Sequence, residues 1–293
     1  MSEDRFIDRL ARALDLAGTP ACVGLDPVLE RLPESVRAGH WEPVRAIGAF
    51  CTGVIDAVAG RVGVIKPQAA CFERYGSAGV AALEHIIEHA REQGLVVILD
   101  AKRGDIGVSA EHYAAAVRHM GADAVTVNAY LGPSTVEPYL EAGLGVFVLV
   151  RTSNPDSDAV QARELADGTT VAGMMAGHVR ELGRTRLGLC GLSDAGAVVG
   201  ATKAADGAML RGLMPEQVFL VPGYGAQGGT ADDVRALVRA GAGTAGASGV
   251  VVNASRSVLY PGGGGDWREA IAGAAAEFAC DVAAVIGAAP GPG

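Results

Sequence analysis

Eight short apolar, β-rich runs recur along this chain, separated by stretches with helical patterning. They are 21–26 (ACVGLD), 62–67 (VGVIKP), 95–102 (LVVILDAK), 124–129 (AVTVNA), 146–152 (VFVLVRT), 197–202 (AVVGAT), 218–223 (VFLVPG) and 249–255 (GVVVNAS). Near-continuous apolar runs of this length are the pattern of parallel strands buried on both faces. The intervening segment 79–94 (GVAALEHIIEHAREQG) is amphipathic. Segment 230–242 (TADDVRALVRAGA) opens on Thr230 as an N-cap and is expected to run as a helix to Gly241. Eight such alternations predict an α/β fold, a (β/α)8 TIM barrel, with a doubly wound open sheet as the alternative.

The polar residues favour the barrel. Nearly every run ends in one: Asp26, Lys66, Asp100 and Lys102, Asn128, Thr152 and Ser153, Thr202, then Ser255 and Arg256. The C-terminal strand ends of a barrel converge on one mouth, where barrel active sites lie. Segment 153–195 is longer than a minimal connection and reads as an active-site loop followed by a helix. Residues 1–287 are expected to form a single catalytic domain, with 288–293 (AAPGPG) as a disordered tail.

Composition narrows the function classes. The net charge of −9 argues against a nucleic-acid polymer as partner, because there is no basic stripe to neutralise a phosphate backbone. The five cysteines are scattered without a C-x-x-C pair, which suits buried thiols in a reducing compartment. The start MSEDRFIDRL lacks the pattern of a signal peptide, and no apolar run approaches the ~18 residues of a membrane span. These features predict a cytoplasmic protein. Lysine occurs only at positions 66, 102 and 203, every other basic side chain being Arg. In such a chain each Lys invites a chemical reason, since the two cations are not interchangeable.

Residues 99–107, LDAKRGDIG, concentrate that question. Asp100, Lys102 and Asp105 follow an apolar run, where charge is costly unless it pairs. The bland explanation is an ion-pair cluster closing a strand end. Against it, the two-residue period of a strand puts Asp100 and Lys102 on one side, facing the mouth, with Lys66 on the neighbouring strand end. A Lys between carboxylates stays protonated, which makes it a prepared proton donor. Gly104 is expected to permit a sharp turn that carries Asp105 away from its own barrel.

LDAKRGDIG, with Lys66 on the preceding strand, resembles the orotidine 5′-phosphate decarboxylase family, in particular its longer bacterial-type subgroup. CVGLDP, TVNAYLG, VRTSNP, VVGAT, PGYGAQGG and NASRSVLY continue the resemblance in family order over roughly residues 15–280. The resemblance implies a homodimeric, cofactor-independent lyase that converts orotidine 5′-phosphate to uridine 5′-phosphate in pyrimidine synthesis. It implies that Asp26 and Lys66 hold ribose hydroxyls and that Lys66, Asp100, Lys102 and Asp105 form a charged tetrad. Lys102 would deliver a proton to C6 of the pyrimidine. Asp105, Ile106 and Ser109 would come from the partner subunit, with Ser109 standing where many members carry Thr. Ser153 would bind the pyrimidine amide edge, Gln227 would bridge base and phosphate, and Arg256 would bind phosphate.

Other patterns carry less. G-x-G-x-x-G at Gly223, Gly225 and Gly228 follows the seventh run and lacks the acidic ribose ligand of a dinucleotide fold; a phosphate-gripping loop is the better reading. HIIEH (85–89) satisfies a zinc-peptidase pattern, but the helix period puts His85, Glu88 and His89 on a solvated face, and no metal is expected. Lys203 reads as an ordinary surface residue. Two further alternatives stand beside the decarboxylase: a magnesium-dependent sugar-phosphate decarboxylase or aldolase sharing D-x-K-x-x-D, and a non-catalytic nucleotide-binding barrel.

Overall fold

A computed structural model describes residues 5–225, 228–262 and 265–287. Eight parallel strands close into a barrel in sequence order: β1 Ala21–Leu25, β2 Val64–Pro67, β3 Val96–Arg103, β4 Ala124–Val127, β5 Gly145–Arg151, β6 Ser193–Val199, β7 Gln217–Val221 and β8 Val250–Ala254. Closure is made by β8 against β1, with Cys22 opposite Asn253 and Val23 opposite Ala254. The expected (β/α)8 TIM barrel is the fold, and the open sheet is not.

The apolar runs are continuous because alternate residues serve two cores. Cys22, Val64, Val96, Ile98, Phe147, Val218, Leu220 and Val251 pack inside the barrel. Ala21, Val23, Ile65, Val97, Leu99, Val125 and Val250 face outward under the helices. The barrel floor is sealed by the helix Phe6–Ala17, whose Phe6, Ile7, Leu10 and Leu14 share the interior cluster. Their helical spacing gives one apolar stripe, and Gly18 ends the helix in the left-handed conformation at φ 67°.

Two elements differ from expectation. Strand β6 begins at Ser193, four residues before its apolar run, because its polar residues are satisfied in place. Ser193 Oγ donates to the Gly183 carbonyl at 3.2 Å, and Asp194 accepts from the Ile7 N–H at 3.0 Å. The helix expected over 230–241 is short, Ala231–Arg235. Its N-cap is as predicted, a capping box between Thr230 and Asp233. The ladder then stops because Arg211 Nε takes the Leu237 carbonyl at 3.0 Å and the Arg239 N–H donates to Ser248 at 2.8 Å. As expected, segment 153–195 holds a loop, here with two short helical turns, followed by a helix, Val171–Gly183, whose N-cap is Thr170. No described helix is long and apolar enough to cross a membrane. The tail 288–293 lies outside the described residues.

Candidate active site

The strand ends surround a cavity of about 390 Å³ at the C-terminal mouth of the barrel. Asp26, Lys66, Asp100, Lys102, Ser153 and Arg256 all line it. At its floor Asp100 is the hub. Lys66 Nζ lies 2.9 Å from Asp100 Oδ2, and Lys102 Nζ lies 2.6 Å from Asp100 Oδ1. Gln68 Nε2 donates to Oδ2 at 3.2 Å and Thr126 Oγ1 donates to Oδ1 at 2.8 Å. Lys66 is 4% exposed and Asp100 7%, so their pairing is what makes burial of the charges tolerable.

The same pairing sets protonation. Burial works against the Asp100 carboxylate, but the Lys66 and Lys102 charges and their hydrogen bonds outweigh it and hold the group well below the usual carboxylate range. Burial likewise opposes the Lys66 ammonium, and the charges of Asp100 and Asp26 reverse that, for a net upward shift. Asp26 is different. Its Oδ1 is buried with no hydrogen-bond partner among the described residues. A buried carboxylate oxygen without a donor is costly unless a ligand supplies one.

Lys102 does reach the mouth, but not by the simple strand period. Leu99 pairs with Val125 and Arg103 with Val127, so β3 spends four steps where β4 spends two. Within this bulge Lys102 adopts φ 46°, the one non-glycine residue with positive φ among those described. Such backbone is disfavoured for an L-residue and marks functional sites. The turn expected at Gly104 is thus taken by Lys102 itself. Gly104 serves a close approach instead: a Cβ there would stand 2.5 Å from the Asn128 carbonyl oxygen.

Beyond the bulge the chain leaves the cavity. Asp105, Ile106 and Ser109 do not line it. Asp105 Oδ1 accepts from the Ile106 N–H at 2.8 Å, and Ile106 is 61% exposed. Val108, in the first turn of the helix Gly107–His119, and Tyr130 and Leu131, in the segment after β4, are exposed as well.

A second cluster braces the loop after β5, and sequence reasoning missed it. Arg151 is 5% exposed. It donates to Asp206 Oδ2 and Asp158 Oδ1, both at 2.6 Å, and to Ser157 Oγ at 3.0 Å. Lys203 Nζ lies 2.6 Å from Asp158 Oδ1, and its side chain is only 13% exposed. Lys203 is therefore no ordinary surface residue: it ties the loop after β6 to the loop that carries Ser153. Gln161 completes the brace by accepting the Thr152 N–H at 2.8 Å. Gly200 lets the two strand ends meet, since a Cβ there would be 2.8 Å from Ser153 Cα. The available signal was Arg151 itself, a cation at the end of an apolar run that had to find partners. Thr126 and Gln68 had fainter signals, a lone hydroxyl in AVTV and a polar residue two places beyond Lys66.

Two further candidates remain, Gln227 and the HIIEH segment. Gln227 lies outside the described residues, although Gly223, Gly225 and Gly228 around it all have positive φ. In HIIEH, His89 Nε2 lies 2.7 Å from Asp56 and His85 Nδ1 lies 3.9 Å from Glu88, so the rings face different partners. Among the described residues no group of three or more His, Cys, Asp or Glu side chains is placed to hold a metal ion.

Comparison with known proteins agrees with this geometry. Residues 19–261 match the model of the orotidine 5′-phosphate decarboxylase / HUMPS family. The orotidine 5′-phosphate decarboxylase of Rhodopirellula baltica is 43% identical over 272 residues, covering 87% of this chain and 88% of the relative. That of Variovorax paradoxus is 41% identical over 269 residues, covering 90% and 93%. The structure of Leishmania donovani OMP decarboxylase superposes with a TM-score of 0.77 at 30% identity, covering 97% of this chain and all of that one. A charged Lys-Asp-Lys floor in a barrel mouth and similarity at this level over most of the length have one reading: the chain belongs to the orotidine 5′-phosphate decarboxylase / HUMPS family.

Proposed function

We propose that the barrel mouth decarboxylates orotidine 5′-phosphate to uridine 5′-phosphate and carbon dioxide, with Lys102 as the proton donor. The observation that carries this is the Asp100 hub, where two ammonium groups converge on one buried carboxylate at 2.9 and 2.6 Å. The C6–carboxylate bond breaks, carbon dioxide leaves, and the electron pair stays on C6 of the pyrimidine. Lys102 stabilises that charge as it develops and then gives C6 a proton, taking one back from solvent. An Arg could not readily release a proton there. The relatives are decarboxylases by name, and a proton, a cation and a set of binding groups supply this chemistry without a cofactor.

The remaining groups bind. Asp26 and Lys66 take ribose hydroxyls, and the unpartnered Asp26 Oδ1 supports that role. Ser153 takes the pyrimidine amide edge, and Gln227 and Arg256 take the phosphate. Phosphate, remote from the reacting carbon, supplies binding energy that orients the base. The unit is a single catalytic domain over residues 1–287, acting in the cytoplasm.

The working form is a homodimer with shared sites. Asp105, Ile106 and Ser109 do not line their own cavity, and the exposed Ile106, Val108, Tyr130 and Leu131 offer apolar surface for a partner, which supports this reading. In a two-fold dimer what one chain gives it also receives. Mixing inactive Lys102→Ala and Asp105→Ala proteins under subunit exchange should then regenerate about a quarter of wild-type activity, one intact site in each mixed dimer. No recovery, with exchange demonstrated and both variants folded, places Asp105 in its own subunit's site.

The main test is loss of orotidylate absorbance by purified protein after exhaustive chelation, with an unchanged rate expected. Activity that vanishes and returns with magnesium or zinc would transfer the site to metal-dependent chemistry. Saturable binding of uridine 5′-phosphate without turnover would leave a nucleotide-binding barrel.

A further inference from the structure

Thr126 is 2% exposed in the middle of β4, opposite the β3 bulge. Its hydroxyl does two things. It donates to Asp100 Oδ1 at 2.8 Å, and it accepts the Lys102 N–H at 2.9 Å. One proton and two lone pairs allow both bonds together. Asp100 Oδ1 also receives Lys102 Nζ at 2.6 Å. Lys102 is thus tied twice to one carboxylate oxygen, directly through its ammonium and through Thr126 from its main chain.

The second tie answers a structural need. The register shift between Leu99 and Arg103 takes the Lys102 N–H out of the regular β3–β4 ladder, and the residue adopts φ 46°. Strained backbone of this kind persists only where neighbours over-determine it. The Thr126 hydroxyl is the group that receives the displaced N–H, and the second bond, which the hydroxyl donates to Asp100 Oδ1, fixes the rotation of that carboxylate.

We propose that Thr126 is a positioning residue for proton delivery: it holds the left-handed turn at Lys102 and the orientation of Asp100 as one unit. This rests on Lys102 being the proton donor of the decarboxylation. Thr126 lines the cavity, but its one proton goes to Asp100 and it accepts from Lys102, so it acts through those two residues. Removing its hydroxyl therefore lowers kcat more than it changes KM, because an interaction that matters in the transition state is lost.

The test compares Thr126→Val, near in shape but without the hydroxyl, with Thr126→Ser, which keeps it. For Val, kcat should fall roughly 10- to 150-fold, the range for a hydrogen bond to a charged group. KM for orotidylate and affinity for uridine 5′-phosphate should stay within about threefold of wild type, and Ser should restore kcat to within about threefold. Amide exchange at Lys102 should accelerate in Val and stay slow in Ser. A Val variant within about twofold of wild-type kcat overturns the proposal, as does a defect that Ser shares or that lies in KM. Should Val not fold, Thr126→Cys, a weak donor of similar size, takes its place under the same criteria. A wild-type protein that fails to turn over orotidylate overturns the decarboxylase reading instead. Lys102 exchange still judges the geometry in that case, and equal rates in Val and Ser overturn the tether.

Discussion

The two ends of the barrel both carry buried or half-buried carboxylates, and they use them differently. At the floor four carboxylates are anchored to main chain. Asp194 accepts from the Ile7 N–H and from Arg5, at 3.0 and 2.8 Å. Asp123 accepts from the Val97 N–H and from Arg9, both at 2.9 Å. Asp8 accepts from the Cys190 N–H at 3.0 Å, and Asp15, itself exposed, accepts from the Gly246 N–H at 2.6 Å. These bonds staple the helix Phe6–Ala17 across the strand starts. At the mouth, among the described residues, Asp100 is held by side chains alone and Asp26 keeps an oxygen without a partner. The cations differ as well: the floor carboxylates Asp194 and Asp123 pair with Arg, whereas all three lysines of the chain lie at the mouth, beside Arg151 and Arg256. A satisfied carboxylate stabilises; an unsatisfied one, or one holding a cation that can release a proton, is available for chemistry. Strain and unmet hydrogen bonds concentrate where function requires them and lower stability there.

That contrast can be broken most severely at Lys102. Lys102→Ala should lower kcat on the order of 10⁴-fold, the upper range for a lost general acid, while the protein remains folded. Steady-state kinetics together with a melting curve read both halves, and a melting temperature that collapses along with activity would deny the mouth its purely chemical role. Arg256→Ala should cost less, about 1.5–3 kcal/mol or roughly 10- to 150-fold in kcat/KM. The loss should largely vanish for a truncated substrate without phosphate; an equal loss for both substrates puts Arg256 elsewhere.

The floor should respond in the opposite sense. Asp194→Ala leaves the buried Ile7 N–H without an acceptor, at a cost of about 1–3 kcal/mol, and should lower the thermal midpoint by roughly 3–10 °C. Its kcat should equal that of wild type at a temperature where both are folded. A changed kcat with an unchanged midpoint would erase the distinction between the two ends.

The smallest effect concerns pH. The depressed Asp100 contributes stability that is complete above the unfolded carboxylate value of about 3.9 and is lost as pH falls through its lowered folded value. The raised Lys66 contributes stability that is complete below about 10.4 and is lost as pH rises through its folded value. Between these limits the pair adds a flat term, so it should leave no pH dependence of stability from about 5 to 9. Chemical denaturation across that range, comparing wild type with Lys66→Met, should show parallel profiles. A slope that Lys66→Met removes would mean that the pair titrates inside the window.

The barrel was legible in the sequence because burial on both strand faces leaves unbroken apolar runs, and the polar residues ending those runs marked the mouth. Asp26, Lys66, Asp100, Lys102, Ser153 and Arg256 stand around one cavity for that reason. Local chemistry was readable wherever it is local, as in the Thr230–Asp233 capping box. The sequence could not locate the bulge that turns Lys102 through φ 46°, because registry between β3 and β4 is set by pairing partners far apart in the chain. The same limit hid Thr126 and the Arg151–Asp158–Lys203 brace, each of which acts only across strands or loops. The helix after Thr230 ended early because Arg211, from another segment, claimed the Leu237 carbonyl. Composition and period determine which elements form and which face they bury. Only the tertiary structure decides which buried polar group meets which partner, because a hydrogen bond requires position within a few tenths of an ångström, and strand period does not carry that information.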